Sequence, residues 1–212
     1  MVGPMKHWER LIAWGNKHFA GRLGVNAGAS AADIAGAEKL FGKKLPEDFK
    51  AFYRQHDGQG DDAVGLIYGQ PFLPLALISE DFSALRDDSE AEKFGEDEIH
   101  PADEGKIKSG AFTGAWIPFT NDWAGNHFAL DLDPGAKGTY GQVINFGRDQ
   151  GELFVVAKSF NDFLAWLIEL YEAGNFELVK DGDQAIFFNP QDPPGCDIFS
   201  ALPEMKLPSR KF

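Results

Sequence analysis

The chain has one cysteine, Cys196, in 212 residues. That count excludes an intramolecular disulfide and fits a reducing compartment. Basic residues are also scarce: 20 Lys and Arg stand against 33 Asp and Glu, for a formal net charge of −13. Such a chain is repelled by phosphate, whose attraction dominates non-specific nucleic-acid affinity. No cluster of Lys and Arg interleaved with aromatics makes a local exception, so direct nucleic-acid binding is not expected. No apolar run approaches the length of a bilayer span, so no membrane partner is expected either. No opening segment joins a basic start to a long apolar run, which reads as no signal peptide and a cytoplasmic location. There is no nucleophile elbow, P-loop or dinucleotide fingerprint, and no internal repeat.

Catalytic and metal-binding chemistry is equally thin. The five histidines, at positions 7, 18, 56, 100 and 127, never pair at metal-ligand spacing. His127 and Asp131 share one face of a predicted strand. A small-ligand or hydrolase site there is an alternative, but strand alternation alone explains a polar outer face. The run from Asp131 to Gln142 has the outline of a calcium loop. It lacks the third acidic ligand, the central glycine and the closing glutamate, so a turn is the reading. Cys196 has no neighbouring base, and nothing nearby lowers its pKa. No catalytic residue, metal or cofactor is assigned.

What is present is a large apolar complement. Apolar residues make up 43% of the chain, with 19 Phe, enough for a substantial core without staples. The stretch from Trp116 to Ala173 holds four short apolar runs punctuated by Gly, Pro, Asn or Asp, then an amphipathic helix. That pattern is an antiparallel meander closing onto a helix. Pro118 places the first strand at an edge. Phe128, Leu130 and Leu132 alternate toward the core. Ser159 with Asp162 starts the helix, Phe160, Phe163, Leu164, Leu167, Ile168 and Tyr171 form its stripe, and Gly174 stops it.

Further upstream, Trp8, Leu11, Ile12 and Phe19 mark a first helix. Ser30 with Asp33 caps a second, carrying Ile34, Ala37, Leu40 and Phe41. Pro46 opens a third, with Phe49, Phe52, Tyr53 and His56 on its inner side. Ser79 to Ser109 is charged and mostly aperiodic, read as a helix followed by a surface loop. A hairpin is expected around Asp181-Gly182, followed by a Pro-rich, irregular end.

These residues resemble the SUKH superfamily, the Smi/Knr type of cell-wall regulator and bacterial immunity protein. The matching features are Trp116-Ile117-Pro118, the Gly125-Asn126 turn, Asp131-Leu132-Asp133-Pro134-Gly135, Gly141-Gln142-Val143, and Ser159-Phe160 leading into Phe163-Leu164. Upstream, Glu38, Leu45-Pro46, Phe49, Phe52, Tyr53 and Asp57-Gly58 agree. The resemblance runs from Ala31 to Gly174. The acidic insertion and the tail depart from it.

The expected fold is α+β, with helices on one face of a mostly antiparallel sheet of roughly four to six strands. Residues 1–174 make the SUKH-like domain, with an acidic insertion at about 79–109. Residues 175–212 add a hairpin and Pro-rich tail on the same domain. The resemblance implies a binding module rather than an enzyme. Its bacterial branch implies an immunity protein neutralising a polymorphic or contact-dependent toxin, with a basic domain such as a nuclease as partner. Its fungal branch implies a scaffold in cell-wall signalling, for which long disordered flanking arms would be expected. The immunity reading leads, and the chain is expected to be a monomer or weak dimer.

Two surfaces are singled out for partner contact. Asn121, Asp122 and Trp123 set a large aromatic at a turn, and Trp is enriched at binding hot spots. The plainer alternative folds Trp123 back over the core. Asp57, Asp61 and Asp62 lie in a Gly-rich acidic loop that suits a basic partner, although polar loops are the default at surfaces. The net charge favours rapid encounter with a basic protein, or serves only solubility.

Overall fold

A computed structural model describes residues 4–19, 21–87, 93–94, 98–111, 114–181 and 184–210. At its centre is an antiparallel sheet of β3 (Trp116–Pro118), β4 (Asn126–Asp131), β5 (Gln142–Gly147) and β6 (Val155–Ala157), in that spatial order. Pro118 sits on the edge strand β3, opposite Ala129. Two short pairs stand apart: β1 (Lys93–Phe94) with β2 (Gly110–Ala111), and the hairpin of β7 (Glu177–Asp181) with β8 (Gln184–Asn189). The hairpin's expected tip residue Gly182 lies outside the described residues.

Helices α1 (Pro4–Phe19), α2 (Ala31–Phe41), α3 (Glu47–Tyr53), α4 (Leu75–Asp87) and α5 (Phe160–Glu172) contribute to the main core, with a short α6 (Ile198–Ala201) near the end. Their starts follow local chemistry. Ser30 and Asp33 form a reciprocal capping box on α2. The Ser159 hydroxyl accepts from the Asp162 amide at the start of α5. Asp48 of α3 accepts from the Asn161 amide at 2.9 Å, so one helix helps cap another. Gly174, at φ 80°, follows α5 as expected.

The core is aromatic. Phe49, Phe119, Phe160 and Phe163 meet at centroid distances of 4.9–6.5 Å, mostly edge to face. Trp14 of α1 stacks on Tyr171 of α5 at 4.4 Å. Leu40, expected on the inner stripe of α2, is instead an exposed side chain, because Ile34, Ala37 and Phe41 already fill that face.

The larger difference lies on the other side of the sheet. Sequence alternation predicts a polar outer face there, yet every residue of β4 and β5 is buried. A second apolar cluster of Ile99, Ile107, Trp116, Ala129, Ile144, Phe146, Leu153 and Val155 covers that face. Residues 98–107 come from the stretch expected to be a surface loop. They dock through a parallel bridge between Ile99 and Leu153. Asp103, fully buried, fixes the segment. Its carboxylate accepts from the Val155 amide and faces Lys106 and Arg210 at 2.9 and 3.4 Å. A buried carboxylate is tolerable only with such partners. The end of the chain joins this clasp, since the Ser209 hydroxyl donates to the Val155 carbonyl. Ile198, Phe199, Leu202, Met205 and Leu207 are buried in the main core.

Candidate functional site

Two sequence candidates fall inside the protein. His127 is buried, its ring stacked on Phe146 at 5.0 Å. Its Nδ1 lies 2.8 Å from the Thr120 carbonyl, so that nitrogen carries the proton and donates. Burial pushes its pKa down, which favours the neutral ring. Asp131 is fully buried and accepts from the Asp133 amide and from Gln142 Nε2. Burial raises its pKa to about 6. Four positions along one strand separate the two by roughly 13 Å, too far for them to share one reacting atom. The expected polar outer face is therefore an interior layer of satisfied polar groups. Cys196 is half-buried, and burial together with Asp197 and Glu204 pushes its thiol pKa up, away from a nucleophilic thiolate. Among the described residues, no group of three His, Cys, Asp or Glu is placed to hold a metal ion. No helix among them is long and apolar enough to cross a membrane.

The acidic loop divides. Asp57 is half-buried, and its carboxylate accepts from the Leu75 amide at 2.8 Å. It thus caps the first turn of α4. Asp61 and Asp62 are exposed and line an open groove with Arg22 and Asn26.

The Asn121–Asn126 turn is built differently. Asn121 Oδ1 accepts from the Trp123 amide at 2.7 Å, and its Nδ2 donates to Asp81 of α4. Asp122 Oδ1 accepts from the amides of Ala124 and Asn126, both at 2.8 Å. Asp122 Oδ2 accepts from Asn126 Nδ2 at 2.6 Å. These Asx contacts hold Trp123 at φ 63°, a left-handed conformation that a bulky residue rarely adopts. Its side chain is 72% exposed, so Trp123 stands at the tip instead of folding over the core.

The neighbouring turn locks against this one. Asn126 Oδ1 accepts from the Asp149 amide and from Gln150 Nε2. Asn145 donates to Gln150 Oε1 and to the Glu152 carbonyl, and accepts from the Phe154 amide. Gly147 is required: a Cβ there would lie 2.3 Å from the Gly125 carbonyl oxygen.

Between these turns and α6 lies a groove of about 430 Å³. Asp122, Asp149, Glu152 and Asp197 line it, with the largely buried Phe154 and Phe199. Asp197 doubles as the cap of α6. No ion pair among the described residues neutralises these four carboxylates. Sequence reading found Asp122 and missed the others, because three distant segments compose the groove. The Asp197-to-Ser200 spacing was a legible cap signal, but nothing local ties it to Asp122.

A family model described as SMI1 / KNR4 family (SUKH-1) matches residues 28–166. A cell wall biosynthesis/cell cycle regulator, smi1, of Schizosaccharomyces pombe is 33% identical over 189 residues, covering 83% of this chain and 37% of that protein. The cell wall assembly regulator SMI1 of Saccharomyces cerevisiae is 30% identical, covering 83% of this chain and 42% of that protein. A glucan synthesis regulatory protein of Neurospora crassa is 27% identical, covering 84% and 40%. The chain thus spans 37% to 42% of the length of these three relatives.

Proposed function

The chain belongs to the SMI1/KNR4 family (SUKH-1), and from that premise we propose that it is a regulatory protein-binding module that acts by recognising a partner, not by catalysis. The relatives named above are regulators of the cell wall or of glucan synthesis. This favours the scaffold branch over the immunity branch that led on sequence grounds. Trp123 carries the binding part of the proposal. A large aromatic held in solvent at a locked turn contributes no core packing, while Trp is a frequent interface anchor. The immunity reading keeps one supporting observation, the net charge of −13, which suits a basic toxin domain.

Replacement of the matched portion of the S. cerevisiae regulator by this chain tests the regulatory reading. The expected result is restored resistance of the cell wall to glucanase digestion. A folded, expressed chimera that restores nothing overturns it. Neutralisation of a co-expressed basic toxin by the same chain would transfer the reading to the immunity branch.

A further inference from the structure

The groove beside Trp123 has a definite chemistry. Its volume of about 430 Å³ falls within the range that encloses side chains or small ligands. Four carboxylates, from Asp122, Asp149, Glu152 and Asp197, line it together with the largely buried rings of Phe154 and Phe199. Among the described residues, the basic groups near it are committed elsewhere or lie outside the lining. Arg210 sits over the Phe154 ring, 5.4 Å from its centroid, but reaches Asp103. Arg148 shares the turn with Asp149, is exposed and does not line the groove. Trp123 lies between two lining residues, Asp122 and Ala124.

We infer that this groove docks a short segment of a partner protein that alternates basic and apolar side chains, with Trp123 covering the segment at the rim. The inference rests on the reading of the chain as a protein-binding module and names the chemistry of its partner. Charge complementarity sets the sign, because four carboxylates with no ion-pair partner among the described residues favour Arg or Lys. The exposed indole favours a guanidinium, which stacks on π faces, and apolar neighbours beside it. A metal ion does not fit, since among the described residues no three ligating groups converge. Nucleic acid is excluded by sign. A small cation would occupy the groove without touching the exposed indole, whereas a peptide spans both.

Titration of the full chain with a dye-labelled peptide alternating Arg and Leu, followed by anisotropy, tests this. A Glu/Leu peptide controls for sign. The Arg/Leu peptide is expected to bind saturably and to shift the amide resonances of Ala124, Gly151 and Ser200. Trp123→Gly, and separately the pair Asp149→Lys with Glu152→Lys, should each weaken binding by roughly tenfold or more. The pair Asp61→Lys with Asp62→Lys, in a separate groove, should change it by less than about threefold. Trp123→Gly removes a solvent-exposed side chain, so its thermal melt should be retained and the loss cannot be ascribed to unfolding. Equal weakening by the Asp61/Asp62 pair would mean diffuse charge attraction and would overturn the inference. So would a peptide that fails to saturate or binds regardless of sign. The chimera reads the family-level function separately: rescue without peptide binding removes the groove assignment alone, and peptide binding without rescue removes the regulatory reading alone.

Discussion

Tyr68 and Trp123 share an uncommon backbone, with φ of 49° and 63°, yet Tyr68 is 4% exposed and Trp123 72%. A non-glycine residue in this region costs roughly 1–3 kcal/mol. At Tyr68 the surroundings offset that cost. Its hydroxyl donates to the Asn175 carbonyl at 2.7 Å, and its amide donates to the Tyr171 hydroxyl at 3.2 Å. Its ring packs on Tyr171 and Phe188 at 5.0 and 5.4 Å. At Trp123 only the backbone and the flanking Asn and Asp are satisfied, and the indole packs on little. Strain held by packing serves the fold. Strain that displays an aromatic in water needs a different beneficiary, and a partner supplies one.

The largest test of this contrast is Tyr68→Ala. Truncating a buried aromatic costs about 3–5 kcal/mol, and here it also strips the Asn175 carbonyl of its hydroxyl donor. Urea unfolding should show a loss in that range. A loss below about 1 kcal/mol would mean that Tyr68 is no better supported than Trp123, and the comparison would collapse.

Local chemistry in the sequence foretold the strand edge at Pro118, the caps at Ser30 and Ser159 and the exit at Gly174, because each depends on a few adjacent residues. The burial of the second sheet face was not legible. Residues 98–107 are charged and aperiodic, and their anchor, Asp103, is satisfied by Val155 and Arg210 from far along the chain. The turn around Trp123 was legible as a turn, but the direction of its indole was not. That direction follows from the Asx bonds of Asn121 and Asp122 and from a second turn at residues 147–150. The groove was illegible for the same reason: it exists only where three separated segments meet.

A second contrast, between Asp131 inside and Asp122 at the rim, has an effect of intermediate size. Folding raises the Asp131 pKa from 3.8 to about 6. The folded protein then binds more protons than the unfolded chain between about pH 4 and 6. Stability contributed by the neutral acid is therefore fully present below pH 4 and lost as pH rises through 6, by up to about 3 kcal/mol. Carboxylates with lowered pKa, such as Glu38 beside Lys44 and Lys50, act in the opposite direction. The difference curve between wild type and Asp131→Asn isolates the term. That difference should change across pH 4–6 and stay flat above it. A flat difference throughout would show that Asp131 is solvated as readily as a surface carboxylate.

The smallest expected effect is the sharpest, because its sign separates fold from function. Glycine adopts the left-handed region without a Cβ penalty, so Trp123→Gly relieves the strain and gives up almost no packing. Greater backbone freedom in the unfolded chain offsets part of that gain. The net expectation is a protein as stable as wild type or more so by up to about 1 kcal/mol, measured by thermal or urea unfolding, that binds the Arg/Leu peptide poorly. Clear destabilisation would place Trp123 with Tyr68 as a structural residue despite its exposure. A stabilised chain that has lost its partner would instead show that this turn retains a strained aromatic for recognition.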